Sequence, residues 1–182
     1  MSDYRRLYVP GGTYFFTVVT GDRSPIFEDS RAISLLGQCL RRARASHPFE
    51  TVALVVLPDH LHCLWTLPRG DSDFSRRWRR IKIDFTQGWI AGCGVAPPRS
   101  ASMADKGERG VWQRRFWEHL IRDEDDLEQH FDYIHFNPVR HGYAKHPAEW
   151  PHSTFAKHVR LGAYPPEWGQ VEPQSPWPPP YE

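Results

Sequence analysis

The stretch ETVALVVLPDHLHCLWTLP, residues 50–68, constrains the fold more than any other part of the chain. Two β-rich apolar runs, 50–57 and 60–67, are separated by little more than Pro58 and Asp59, residue types suited to a tight connection. So short a link joins antiparallel neighbours, because parallel strands need a crossover of about a dozen residues or more. A purely parallel, doubly wound sheet is thereby excluded.

The remaining pattern fits elements around this hairpin. GGTYFFTVV predicts a strand over 13–20. Asp29 or Ser30 then caps a helix whose Ile33, Leu36, Leu40 and Ala43 recur at helical spacing, and Pro48 closes the segment. Phe74, Trp78, Ile81, Phe85 and Trp89 form the stripe of a second amphipathic helix. CGVAPPRSASMADKGERG reads as a loop, and VWQRRFWEHLIR as a strand over 110–121. Asp123 caps a third helix with acidic residues in its first turn, and Pro138 is expected to end it near Asn137. The order strand, helix, strand, strand, helix, strand, helix predicts an α+β sandwich on a mixed or antiparallel sheet, close to the ferredoxin-like pattern. Residues 1–163 are expected to form one domain, and 164–182, with seven prolines, an extended or disordered tail.

Composition excludes several classes. No apolar stretch approaches the roughly 20 residues that span a bilayer, and MSDYRRLYVPGG lacks the apolar core of a signal peptide. Cys39, Cys63 and Cys93 are odd in number and contain no CxxC pair. That argues against a disulfide framework or zinc ribbon and predicts a cytoplasmic protein. The net charge of +1 gives no global basic excess, yet Arg76, Arg77, Arg79, Arg80 and Lys82 crowd into RRWRRIK. These cations suit phosphate contacts, and equally a solvated helix face. Arg114 and Arg115, flanked by Trp112, Phe116 and Trp117, combine charge with stacking surface.

Alternation along the second run of the hairpin puts His60 and His62 on one face and Leu61, Cys63 and Trp65 on the other. Two imidazoles so placed can converge on one cation, although two solvent-facing histidines give the same pattern. A histidine-triad hydrolase would need a third alternating histidine, and position 64 is leucine. In HFDYIHFNPVRHG, Leu127, Phe131 and Ile134 make the stripe expected to face the core. His130, Tyr133 and Asn137 fall on a neighbouring face. A phenol and an amide one turn apart also fit an interface tyrosine and a helix-ending asparagine.

GGTYFFTVV, LPDHLHCLW, WQRRFWEHLIRDE, YIHFNPVRHG and EWPHSTF together resemble the REP-associated tyrosine transposases, single-tyrosine members of the HUH transposases. The resemblance runs from about Tyr4 to Trp168. It implies a ferredoxin-like HUH fold with His60-Leu61-His62 as the histidine motif and Tyr133 as the nucleophile. Asn137 would complete a site for Mg²⁺ or Mn²⁺. The implied partner is single-stranded DNA folded as a hairpin, a repetitive extragenic palindromic (REP) sequence with a specific tetranucleotide at its foot. The implied activity is cleavage and strand transfer through a 5′-phosphotyrosine, carried out by a monomer. A protein that binds REP hairpins without cutting them is the alternative. A metal-dependent hydrolase of small phosphate esters would leave the basic and aromatic surface unused.

Overall fold

Thr13–Val19 (β1), a run of aromatic and β-branched residues, pairs with neighbours on both edges. One neighbour is His60–Thr66, which in turn pairs with Glu50–Val56. In chain order these are β2 (Glu50–Val56) and β3 (His60–Thr66), and Trp117–Leu120 (β4) takes the other edge of β1. The sheet order is β2-β3-β1-β4, and every pair is antiparallel. The computed structural model describes residues 6–93, 109–171 and 173. Nearly all of the expected loop after the second helix, and the end of the chain from 174, lie outside them.

Two helices cover one face of the sheet. In α1 (Ser30–Ser46) the buried stripe is Ala32, Leu36, Cys39 and Ala43, and Asp29 caps it by accepting from the Arg31 N–H at 2.8 Å. In α2 (Phe74–Cys93) the stripe is Phe74, Trp78, Ile81 and Phe85, all fully buried. Both stripes pack against Phe16, Leu61, Cys63 and Trp65, and the Trp65 and Trp78 rings stack at 4.3 Å. The opposite face, which carries Phe15, Ala53, Val55 and Leu64, is covered by Tyr133 and Ile134 of α3 (Glu124–Arg140). A short helix, α4 (Phe155–Arg160), follows, with Thr154 hydrogen-bonded to Leu54 at its start. The α+β architecture and antiparallel sheet agree with the sequence-based expectation.

Three local expectations are corrected. The strand expected over 110–121 is confined to Trp117–Leu120, with an isolated bridge from Trp112 to Thr20 upstream. Trp112 and Phe116 both join the apolar cluster under α2, so unbroken alternation would turn Arg114 into it. The chain leaves the ladder there instead, and Arg114 and Arg115 are exposed. Pro138 lies inside α3 rather than ending it at Asn137. Proline near a C-terminus deletes a single ladder bond, and the last turn is closed by the His141 N–H donating to the Asn137 carbonyl at 3.0 Å. Finally, the segment expected as a tail begins inside the fold. Tyr164 is buried, donates to Asp132 at 2.7 Å, and packs at a tilt against Trp168, which also packs on Phe136 and Phe155.

Candidate active site beneath the third helix

β3 opens at His60, and its pleat sends His60 and His62 to the α3 face, as expected. Neither meets solvent: their exposures are 1% and 0%, which removes the reading of two surface histidines. Each ring is held by its Nδ1. Asp59 bonds that of His60 at 2.5 Å, and the Thr17 hydroxyl that of His62 at 2.9 Å. The imidazoles meet edge to face with centroids 4.9 Å apart, and Phe15 stacks on His62 at 5.4 Å. Burial acts to raise the Asp59 pKa, but hydrogen bonding and charge from His60 and Arg23 outweigh it and hold the carboxyl at about 2. A carboxylate fixing an imidazole in this way is the arrangement usual behind a metal-binding histidine.

α3 supplies the other half of the site, through the face expected to lie beside the core stripe. His130, Tyr133 and Asn137 are almost fully buried against the sheet, whereas Leu127 and Phe131 of the expected core stripe are half-buried. Phe131 instead stacks against Tyr164 at 5.3 Å. The Tyr133 ring lies 5.2 Å from His62 and 5.9 Å from Phe15. Asn137 follows one turn later, and both of its amide atoms are buried without hydrogen-bond partners, as is His60 Nε2. An unsatisfied buried amide costs about 1–3 kcal/mol, so such atoms ask for a ligand.

Two residues here escaped sequence reasoning. The Arg140 guanidinium stands 5.4 Å from the centre of the Tyr133 ring, and the His141 ring 5.4 Å from that of His60. The spacing of Tyr133, Asn137 and Arg140, i, i+4 and i+7, was the available signal.

A second cluster also went unseen. His119 of β4 and Asp126 and His130 of α3 bring one ligand atom each within 4.8 Å of one another, a grouping that could hold a metal ion. Among the described residues it is the one His/Cys/Asp/Glu set of three with that spacing. The Asp126 carboxylate already accepts from His119 Nε2 at 2.8 Å and from Arg122 through both its N–H and Nε at 3.0 and 2.9 Å. Burial acts to raise its pKa, and the Arg122 and His119 hydrogen bonds hold it well below the usual carboxylate range. The cluster ties β4 to α3 one turn before Tyr133.

The expected DNA-contact cations divide. Arg77 is 1% exposed, and its guanidinium is taken up by Asp71 and by the carbonyls of His47, Pro48 and Asp73. It anchors α2 to the preceding loops and does not reach the surface, a correction to its place in the basic cluster. Arg76, Arg79, Arg80, Arg114 and Arg115 are exposed, with Arg80 paired to Asp84 at 2.8 Å. Lys82 donates to the Gln113 carbonyl at 2.8 Å. The Cys39 and Cys63 thiols are free and buried. No helix among the described residues is long and apolar enough to cross a membrane.

No family model matches the chain. A REP-associated tyrosine transposase of Escherichia coli (strain K12) is 45% identical over 92% of this chain and 91% of its own length. A putative REP-associated tyrosine transposase of Haemophilus influenzae is 41% identical over 93% and 94%. A solved structure of a REP-associated tyrosine transposase bound to a REP hairpin superposes with a TM-score of 0.77 at 42% identity, covering 96% of both chains. Fold and relatives define a transposase built on a four-stranded antiparallel sheet. Within that class, the chain belongs to the REP-associated tyrosine transposase family.

Proposed function

We propose that the chain cleaves and rejoins single-stranded DNA at the foot of a REP-type hairpin, with Tyr133 as nucleophile. The observation that carries this reading is the pairing of Tyr133 with buried donor atoms that have no protein partner, His60 Nε2 and the amide of Asn137. With the Nδ1 atoms of His60 and His62 held by Asp59 and Thr17, the Nε2 atoms would hold a divalent cation together with Asn137 Oδ1. Mg²⁺ or Mn²⁺ bound there would draw charge from a non-bridging oxygen of the scissile phosphate.

The chain's own groups account for the remaining steps. The Tyr133 hydroxyl gives up its proton as its oxygen bonds to phosphorus, and the 3′-oxygen leaves and takes up one proton, giving a 5′-phosphotyrosine and a 3′-hydroxyl with no net proton change. A second 3′-hydroxyl reverses the step, because the phosphodiester energy is conserved in the intermediate. Arg140 is placed to neutralise phosphate charge beside the Tyr133 ring. Arg76, Arg79, Arg80, Lys82, Arg114 and Arg115 are the cations for the DNA backbone.

Tyr133 is fully buried, so a phosphate reaches its oxygen only after neighbours move. That burial favours a second reading, in which the protein binds the hairpin without cutting it. Incubating the protein with a labelled DNA hairpin and Mg²⁺ or Mn²⁺, then running a denaturing gel, separates the two. The catalytic reading expects a covalent band that chelator and Tyr133→Phe abolish, with binding kept by the variant. An undiminished band in the variant removes Tyr133 as nucleophile. Binding without any band in the wild-type protein selects the second reading.

A further inference from the structure

Lys82 stands in the wall of a groove of about 840 Å³, between α2 and residues 109–116, on the face of the sheet opposite the histidine pair. Arg6, Arg79, Arg109 and Arg114 line the same groove, and no aspartate or glutamate is among the described residues that do. The Lys82 amine is half-buried, donates to the Gln113 carbonyl at 2.8 Å, and lies 5.6 and 5.9 Å from the ring centres of Phe116 and Trp112. A carbonyl accepts from a neutral amine as well as from an ammonium, so losing a proton does not break that contact. Behind it, the Arg6 guanidinium lies 4.2 Å from the Phe116 ring centre and pairs with the buried Glu118 at 3.0 Å. Glu118 thus serves Arg6 and does not hold the lysine's proton in place.

Surroundings of this kind, apolar and crowded by other cations, favour the neutral and nucleophilic form of a lysine. Burial, and then the charge of Arg6, lower the Lys82 pKa to about 8. At pH 8 about half of the amine is then neutral, against under about 1% of an exposed lysine. The guanidiniums keep their charge throughout this range and suit a phosphate. The groove therefore combines a nucleophile with cations that can hold a phosphate beside it. A phosphate ester would be bound here without reacting, because it offers an amine no carbonyl carbon. An acyl phosphate offers that carbon with the phosphate attached to it as leaving group.

We propose that the groove is a modification site for acyl phosphates, in which the arginines hold the phosphate and Lys82 receives the acyl group. The amine nitrogen bonds to the carbonyl carbon, and the bond from that carbon to the phosphate oxygen breaks. The leaving phosphate takes up the proton that the nitrogen loses. The products are an amide on Lys82 and inorganic phosphate, with nothing oxidised or reduced. The amide carries no charge, so the modification removes a cation from this face of the molecule. Its consequence for DNA rests on the reading above, in which Lys82 is among the backbone contacts. The modification itself needs no DNA.

The test treats the full chain, free of DNA and at pH 8, with acetyl phosphate and follows each lysine by peptide mass spectrometry. Lys82 should be acetylated about tenfold or more faster than the exposed Lys145 and Lys157. Excess inorganic phosphate, competing for the arginines of the wild-type protein, should slow Lys82 severalfold and leave the other two lysines unchanged. Arg79→Gln with Arg109→Gln should remove most of the preference for Lys82, at an unchanged circular dichroism spectrum. Acetic anhydride has no phosphate to hold, so its reaction with Lys82 should respond neither to inorganic phosphate nor to the paired substitution. Equal rates at the three lysines overturn the proposal. A preference for Lys82 that survives both phosphate and the paired substitution also overturns it, since the amine is then reactive without a phosphate site. Hairpin affinity of the acetylated protein is scored separately. An unchanged affinity removes Lys82 from the proposed DNA contacts and leaves the modification site standing.

Discussion

At the scale of single residues, what distinguishes this site is that both imidazoles are held from behind. Asp59 and Thr17 fix the rings through Nδ1, so a bound cation would meet rings that need no reorientation. Asp59→Ala and Thr17→Val should each weaken Mn²⁺ binding by about 10–100-fold, as read by titration calorimetry of the DNA-free protein. Affinity at wild-type level in both variants would place the ion elsewhere, with the His119, Asp126 and His130 cluster as the next candidate. In the proposed reaction Arg140 would act at a different stage. Arg140→Ala should leave Mn²⁺ affinity intact and slow adduct formation by about tenfold, the equivalent of about 1.4 kcal/mol in the barrier. A variant that forms adduct at the wild-type rate assigns the Tyr133 contact to packing alone.

Among the elements, α3 shows what a sequence can and cannot reveal. Its start was legible, because Asp123 followed by three acidic residues is a local signal, and the Asp126 N–H does donate to the Asp123 carboxylate at 2.8 Å. Asp123→Ala should cost about 1 kcal/mol, visible as a lowered melting temperature with an unchanged circular dichroism spectrum. The inward turn of Ile134, with Leu127 and Phe131 packed beside it, was legible, but the full burial of the neighbouring polar face was not. Polarity ranks His130, Tyr133 and Asn137 below Leu127 and Phe131, yet the sheet offers them His62, Phe15 and His119 as partners, and those partners are distant in sequence. The same limit applies to β4: a strand over 110–121 was the reading, but it was not visible that an unbroken strand would have turned Arg114 into the apolar cluster under α2. The hairpin and the shared face of His60 and His62 came through because each rests on a short local pattern. Gly21 marks another distant constraint, since a Cβ there would lie 1.7 Å from the Gly110 carbonyl oxygen. Gly21→Ala should therefore cost at least about 1–3 kcal/mol, measured by denaturant unfolding.

For the molecule as a whole, buried histidines couple folding to pH. Burial, reinforced by nearby His158, lowers the His135 pKa to about 3, and burial also lowers that of His130. A histidine in the unfolded chain takes a proton near pH 6.5. Between that pH and the folded value the unfolded state binds the additional proton, so stability is full above about 6.5 and falls as the solution is acidified. The loss approaches about 1.4 kcal/mol per pH unit for each such histidine. The melting temperature should drop between about pH 7 and pH 5, and His135→Gln should make that slope shallower. An identical slope in the variant would shift the effect to other groups.

The placement of Tyr164 has a practical consequence for anyone who shortens this protein. Cutting after residue 163 removes the hydroxyl that serves Asp132 and the indole of Trp168 that closes over Phe136 and Phe155; Asp132 and Phe136 lie on the helix that carries Tyr133. A change in cleavage after such a cut would report damage to the scaffold behind Tyr133, the proposed nucleophile, rather than release of an inhibitory end. A deletion meant to interrogate the proline-rich terminus has to begin beyond residue 171.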